Sequence, residues 1–178
     1  MFIELLSSRR SIRKFKDQPV EKEKIDLLVE AALRSPSSRS LNPWEFIVVT
    51  DRNLLVEMAG CKPHGASFLK GAPLGFVVLA DPERCDVWVE DCSIASIFIH
   101  LAAHSLGLGS CWIQVRKRAY ADDTGAGQYL AGLLDIPPGR EVESIIAVGY
   151  PDMSLPGHER TSLADQKVHL QKYGAVYK

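Results

Sequence analysis

The chain has 178 residues, 46% hydrophobic and 24% charged, the balance of an ordinary globular protein that fits one domain and can bury a real core. Its 21 basic and 22 acidic side chains leave a formal net charge of −1, which excludes a global positive field drawing the whole molecule onto nucleic acid. MFIELLSSRR carries an acid at Glu4 and no long apolar run, so no signal peptide is predicted, and no stretch is clean enough to predict a membrane span.

RRSIRKFK (9–16) places five cations in eight positions. On a nearly neutral chain such a cluster is local and points to a local anion. Arg9 and Arg13 stand four apart with Ser11 between them; guanidinium forks plus a hydroxyl suit phosphate oxygens or an electron-rich heterocycle edge, although a solvated basic turn has the same composition. VEKEKIDLLVEAALRS (20–35) spaces Ile25, Leu28, Val29, Ala32 and Leu33 as the apolar stripe of an amphipathic helix. Pro36 stops it. SPSSRSLNPW (35–44) is then a loop with four serines, Arg39 and Asn42 beside an anchoring Trp44, either a connector or a binding loop. WEFIVVT (44–50), GFVVLA (75–80) and SIIAVG (144–149) read as buried strands.

Val87 to Leu106 predicts a long helix, apolar on most faces, ended by Gly107 and Gly109 and followed by a strand over SCWIQV (110–115). A further helix around Gly127 to Leu134 stops before IPPG (136–139), where paired prolines cannot continue it. After the last strand, GYPDMSLPGHER (149–160) carries His158 and Arg160 two apart, on one side if the segment is extended. Interleaved helices and strands without repeat or linker predict one mixed layered domain over 1–178.

Other signals are weaker. His100 and His104 are i, i+4 on a helix, but no carboxylate or cysteine completes a metal set. Cys61-Lys62-Pro63-His64 is half a zinc site. GLGS (107–110) follows a helix and precedes a strand, the reverse of a dinucleotide fingerprint. The four cysteines (61, 85, 92, 111) are irregularly spaced and read as reduced thiols in a cytoplasmic protein. No nucleophile–base pairing is visible, and no metal site, nucleic-acid partner or membrane partner is expected.

RRSIRKF, SPSSRSLNPWEFIVV, the DC…AAHSLGLGSCWI helix–strand unit, and IIAVGYP with a late arginine occur in that order. Together they resemble the FMN-dependent nitroreductase family over nearly the whole chain. The resemblance implies an α+β fold with a central mixed, largely antiparallel sheet flanked by helices. It implies an obligate homodimer with FMN in each of two interface clefts, and NADH or NADPH as electron donor.

Carried over residue by residue, the resemblance puts Arg9, Arg10, Ser11 and Arg13 on the FMN phosphate and the pyrimidine edge. Ser37, Ser38, Arg39 and Asn42 reach the flavin from the other subunit. Ile113, Gln114 and Val115 run beside the central ring, where a main-chain N–H can meet N5, and His158 and Arg160 sit on the phosphate. Four departures stand out. Asn42 replaces a common Gln, Gln114-Val115 a Glu-Gly or Gly-Gly pair, and His158 a common Lys, while Gly65 falls near the place of a family Asn. The implied activity is ping-pong transfer of two electrons to an electron-poor small molecule such as a nitroaromatic, quinone or flavin. The chemistry belongs to the flavin, so no side chain is named as catalytic. A specialised same-fold reaction (flavin cannibalisation or dehalogenation) and a flavin-binding redox-sensing module are the alternatives.

Overall fold

The structure is a computed structural model that describes residues 1–177. Its centre is a four-stranded sheet of β1 (Trp44–Val49), β2 (Leu74–Ala80), β6 (Glu141–Gly149) and β3 (Gly109–Gln114), in the order β1-β2-β6-β3. All three ladders are antiparallel. The parallel component is the isolated bridge between Ser11 and Ser110. A small hairpin, β4 (Ala119–Ala121) with β5 (Thr124–Gly125), follows β3.

The sheet is buried on both faces, which is why its inner strands read as continuous apolar runs rather than as alternations. Alternate residues of β2 divide between two cores. Val77 and Leu79 join Ile113, Val115, Ile145 and Ala147 under α3 (Arg52–Ala59) and α5 (Ala126–Leu133). Leu74, Phe76, Val78 and Ala80 join Ile146 and Val148 under α2 (Lys22–Leu33) and α4 (Trp88–Ser105). The layers are therefore helix, sheet, helix, the α+β architecture expected.

Expectation and structure differ in places. α1 (Phe2–Ser8) was not anticipated because none of its residues is buried, so no amphipathic stripe marks it. α3 also escaped the periodicity reading, although Asp51 caps it by accepting from Leu54 N at 2.8 Å and Leu55, Met58 and Ala59 line its inner face. In α2, Leu28 and Ala32 are buried as expected, but Leu33 is 55% exposed, being the last helical residue and pointing off the core. α4 packs Cys92, Ala95, Ile99 and Ala103 inward while leaving Ile94, Ile97 and Phe98 open. With Met1 and with Phe2 and Leu5 of α1, Phe98 and Leu101 line an apolar groove of about 390 Å³.

Candidate functional site

The segment after α1 touches β3 at its start, through Ser11 and Ser110, and then runs antiparallel to the residues that follow β6, with Phe15 bridged to Pro151. Ile12 N donates to Ser110 O at 2.9 Å, Lys16 N to Tyr150 O at 2.8 Å, and Asp152 N to Lys14 O at 2.9 Å. An extended segment points successive side chains to opposite sides, and this one sorts the basic cluster accordingly. Arg9, Ser11 and Arg13 gather around the Cys111 thiol. Arg10 turns to the other side with Ile12, where both line a cavity of about 210 Å³ and Arg10 Nη1 donates to Pro156 O.

Burial pushes the Cys111 thiol above its usual range, while Arg13, Ser11 and Arg9 act in the opposite sense. Burial wins, so Cys111 stays a thiol rather than a nucleophilic thiolate. Arg9 Nη1 lies 2.9 Å from His100 Nε2, and His100 Nδ1 meets Ser110 Oγ. His100, lying under the arginines, is depressed to about 4 by burial, by the Arg9 charge and by His104. A neutral imidazole is the form that can accept from a guanidinium. Arg13 sits 5.9 Å above the Phe68 ring. Among the described residues, Arg9, Arg10 and Arg13 take part in no ion pair, which leaves this edge of β3 positively charged and suited to an anion.

The late basic pair approaches the same region through the backbone. Gly157 packs against Ser7 and Ser8, so closely that a side chain there would collide with the Ser7 carbonyl. His158 is exposed one residue on. Arg160 opens a short 3-10 turn (Arg160–Ser162) and forks onto Asp165 at 3.0 and 2.9 Å, so the extended spacing read for 158 and 160 ends at Arg160.

Ile113 and Val115 are buried in the core. The Gln114 amide accepts from Trp112 Nε1 at 3.0 Å and donates to Arg116 O at 3.2 Å. Val115 N and Arg116 N both donate to Glu143 O, at 3.1 and 3.0 Å, so these two main-chain donors are already paired. Glu143 is 2% exposed with one carboxylate oxygen unpartnered, and burial pushes its carboxyl above the usual value. Lys62 Nζ donates to Gln114 O at 2.7 Å. The reading of Cys61–His64 as half a metal site passed over this lysine. Gly65, at φ +76°, sits in the same turn.

Ser37, Ser38, Arg39 and Asn42 lie elsewhere. Ser37 Oγ is 2.7 Å from Asn42 Oδ1 and accepts from Asn42 N at 2.8 Å. Ser38 N donates to Asp91 Oδ1 at 2.9 Å, and Arg39 pairs with Asp86. Arg39, Ser40 and Asn42 all hold positive φ, at 53°, 54° and 46°, a conformation costly for residues with a Cβ and common in loops that present side chains. The loop is fastened to α4 at Asp91, whereas the arginine cluster meets α4 at His100. Nine residues at ~1.5 Å each put about 13 Å between those anchors along the helix axis. One copy of the chain does not bring the two groups together.

The Nitroreductase family model matches residues 6–61 and 61–150. The chain belongs to the nitroreductase family. An FMN-dependent nitroreductase from Clostridium difficile superposes with a TM-score of 0.95 at 49% identity, over 96% of this chain and 99% of that one. A protein of Methanothermobacter thermautotrophicus that carries the provisional name NADH dehydrogenase/NAD(P)H nitroreductase is 39% identical over 174 residues, 96% of this chain and 87% of its own length. A Vibrio harveyi NADPH-flavin oxidoreductase is 30% identical over 176 residues, 88% of this chain and 70% of its own. For a nitroreductase family member, the Arg9–Arg13 edge and the Ser37–Asn42 loop are the two polar regions to account for.

Proposed function

We propose that the chain is an FMN-dependent NAD(P)H oxidoreductase, working as a homodimer. It passes two electrons by a ping-pong route from NADH or NADPH to a small electron-poor acceptor such as a nitroaromatic, a quinone or a flavin. The observation that carries this reading is the convergence of Arg9, Ser11 and Arg13 around Cys111 near the start of β3, with no carboxylate among the described residues paired to them. Guanidinium and hydroxyl donors along an extended edge fit the phosphate and the carbonyl-rich pyrimidine rim of FMN, and membership of the nitroreductase family supports the assignment.

When bound, FMN supplies hydride acceptance and donation, which no side chain of this chain supplies. The protein's part is to bind and orient. Arg9 and Arg13 set positive charge where negative charge accumulates on reduction. Arg10 ties the 156–160 segment to the cluster, and His158 and Arg160 add to the phosphate end once Arg160 exchanges Asp165 for that ligand. Ile113 to Val115 form the wall beside the ring, stiffened by the Gln114 and Glu143 hydrogen bonds.

Two features support the homodimer. The loop bearing Ser37 to Asn42 is held far from its own arginine cluster, and an apolar face of α1 and α4, with Phe2 62% and Phe98 37% exposed, needs a cover of its own kind. We take residues 1–178 as one domain, supported by two cores sharing one sheet. Four free, buried cysteines and the absence among the described residues of a helix long and apolar enough to cross a membrane accord with the cytoplasmic location we propose.

The test is Arg9→Ala with Arg160→Ala in purified protein, reading FMN content from the visible spectrum and affinity by flavin fluorescence. A fall of about a hundredfold is expected from losing two charge-assisted contacts; unchanged affinity refutes the clamp. Anaerobic addition of NADH or NADPH, then of a nitroaromatic, separates an enzyme from a sensing module, which would reoxidise slowly with every acceptor.

A further inference from the structure

Beyond the arginine cluster lies a second concentration of positive charge that the proposed cofactor contacts leave unexplained. Lys62, His64 and Arg118, with Pro63 and Ala119, line a cavity of about 260 Å³. Lys62 is half-buried, and its bond to Gln114 O fixes the ammonium at the cavity rim with two N–H donors to spare. Arg118 is pinned by its backbone: its N–H donates to Val115 O at 3.0 Å, and its carbonyl accepts from Ala126 N at 2.8 Å. Its guanidinium is exposed. Among the described residues, neither Lys62 nor Arg118 pairs with a carboxylate. The Lys62 pKa is lowered by burial and also by the Arg118 charge, so the two cations sense each other. Two like charges held together without an acid gain most when an anion enters between them.

This anion is not the cofactor's phosphate. The arginine segment pairs with β3 at Ser110, whereas Lys62 meets the strand at Gln114; four residues at ~3.3 Å each separate them by about 13 Å. The cavity therefore sits at the far end of the wall that the proposed ring would lie along, where a substrate stacked on the ring would extend.

We propose that Lys62, His64 and Arg118 form a second anion site, which seats the carboxylate or phosphate group of the molecule exchanging electrons at this face; the assignment rests on the FMN reading above. Two sources share that chemistry, an electron-poor aromatic acid and the phosphates of the nicotinamide donor.

The experiment compares 4-nitrobenzoate with its neutral analogue 4-nitrobenzamide by isothermal titration, on protein with and without FMN, in wild type, Arg118→Ala and Arg118→Lys. KM values for NADH and NADPH are measured alongside. Wild type should bind the acid about tenfold more tightly than the amide, as expected for one charge-assisted contact. Arg118→Ala should erase the gap and Arg118→Lys restore most of it. A KM increase confined to NADPH instead assigns the site to the donor's phosphate, which also supports it. Equal binding of acid and amide in wild type, together with NADPH and NADH KM values indifferent to Arg118→Ala, overturns the proposal. The visible spectrum is a separate readout. A colourless wild type that takes up no FMN sinks the cofactor reading, while the acid–amide comparison still decides this one.

Discussion

Substituting Gly109 by alanine probes the seam between the basic segment and β3. A Cβ at this position would lie 2.8 Å from both Cβ and Cγ2 of Ile12 and 2.9 Å from its Cγ1. Carbon atoms prefer about 3.5–4.0 Å, so the Ile12 segment must retreat by about 1 Å. Ile12 is buried and its N–H is bonded to Ser110, leaving no free volume to absorb the change. Overpacking of this kind costs about 1–3 kcal/mol, offset by up to about 1 kcal/mol from the stiffer unfolded chain, for a net loss near 1–2 kcal/mol. The same retreat moves Arg9, Ser11 and Arg13, and a displacement of about 1 Å in a positioning group can cost a hundredfold. Urea denaturation of FMN-free protein reads the first effect, and quenching of flavin fluorescence the second. Gly132→Ala is the control, since it lies in α5 with nothing within 4 Å of its added Cβ and should gain up to about 1 kcal/mol with FMN affinity unchanged. If Gly109→Ala unfolds at the wild-type midpoint and binds FMN as wild type does, the segment is not seated on β3 as described.

His100, depressed from 6.5 to about 4, stays neutral in the folded protein while the unfolded chain is protonated below 6.5. Stability should fall as pH drops from 6.5 towards 4, by about 3 kcal/mol in all at 1.36 kcal/mol per unit. Urea midpoints at pH 7, 5.5 and 4.5 should show that slope flattened in His100→Gln; parallel slopes would remove His100 as its cause. Phe98→Asp places a charge on the apolar face of α4 and α1, where burying it unpaired costs about 3 kcal/mol or more, over a hundredfold in the dissociation constant. Sedimentation velocity at micromolar concentration should show the mass falling from two chains to one, with FMN affinity falling too. A dimer of wild-type strength would place the interface elsewhere.

The parts of this molecule legible in the sequence are those whose pattern records a buried environment. β2 is apolar throughout, and β6 from Ile145 to Val148, because both faces are covered, and α4 declared itself by length and by the glycines after it. α1 left no such trace, since its apolar residues find no cover within one chain and a stripe without a core looks like composition alone. At the site, the cations of 9–13 were visible as a cluster, but their division was not. That Arg10 turns away from Arg9 and Arg13 depends on the segment lying extended on β3. Lys62 and Arg118 are far apart in sequence and meet through the turn after β3, a tertiary fact with no local signature. Arg160 shows the converse, a recognisable residue whose nearby partner Asp165 was given no weight.

α4 acts as a ruler. It carries a loop foothold at Asp91 and the floor of the arginine cluster at His100, and its rigid length holds the two apart. In the homodimer proposed above, a second such rod laid against the first would set unlike ends side by side. Copies damaged at opposite ends would then complement each other: mixing chains lesioned in the loop with chains lesioned in the arginines should regenerate one intact cleft per mixed pair.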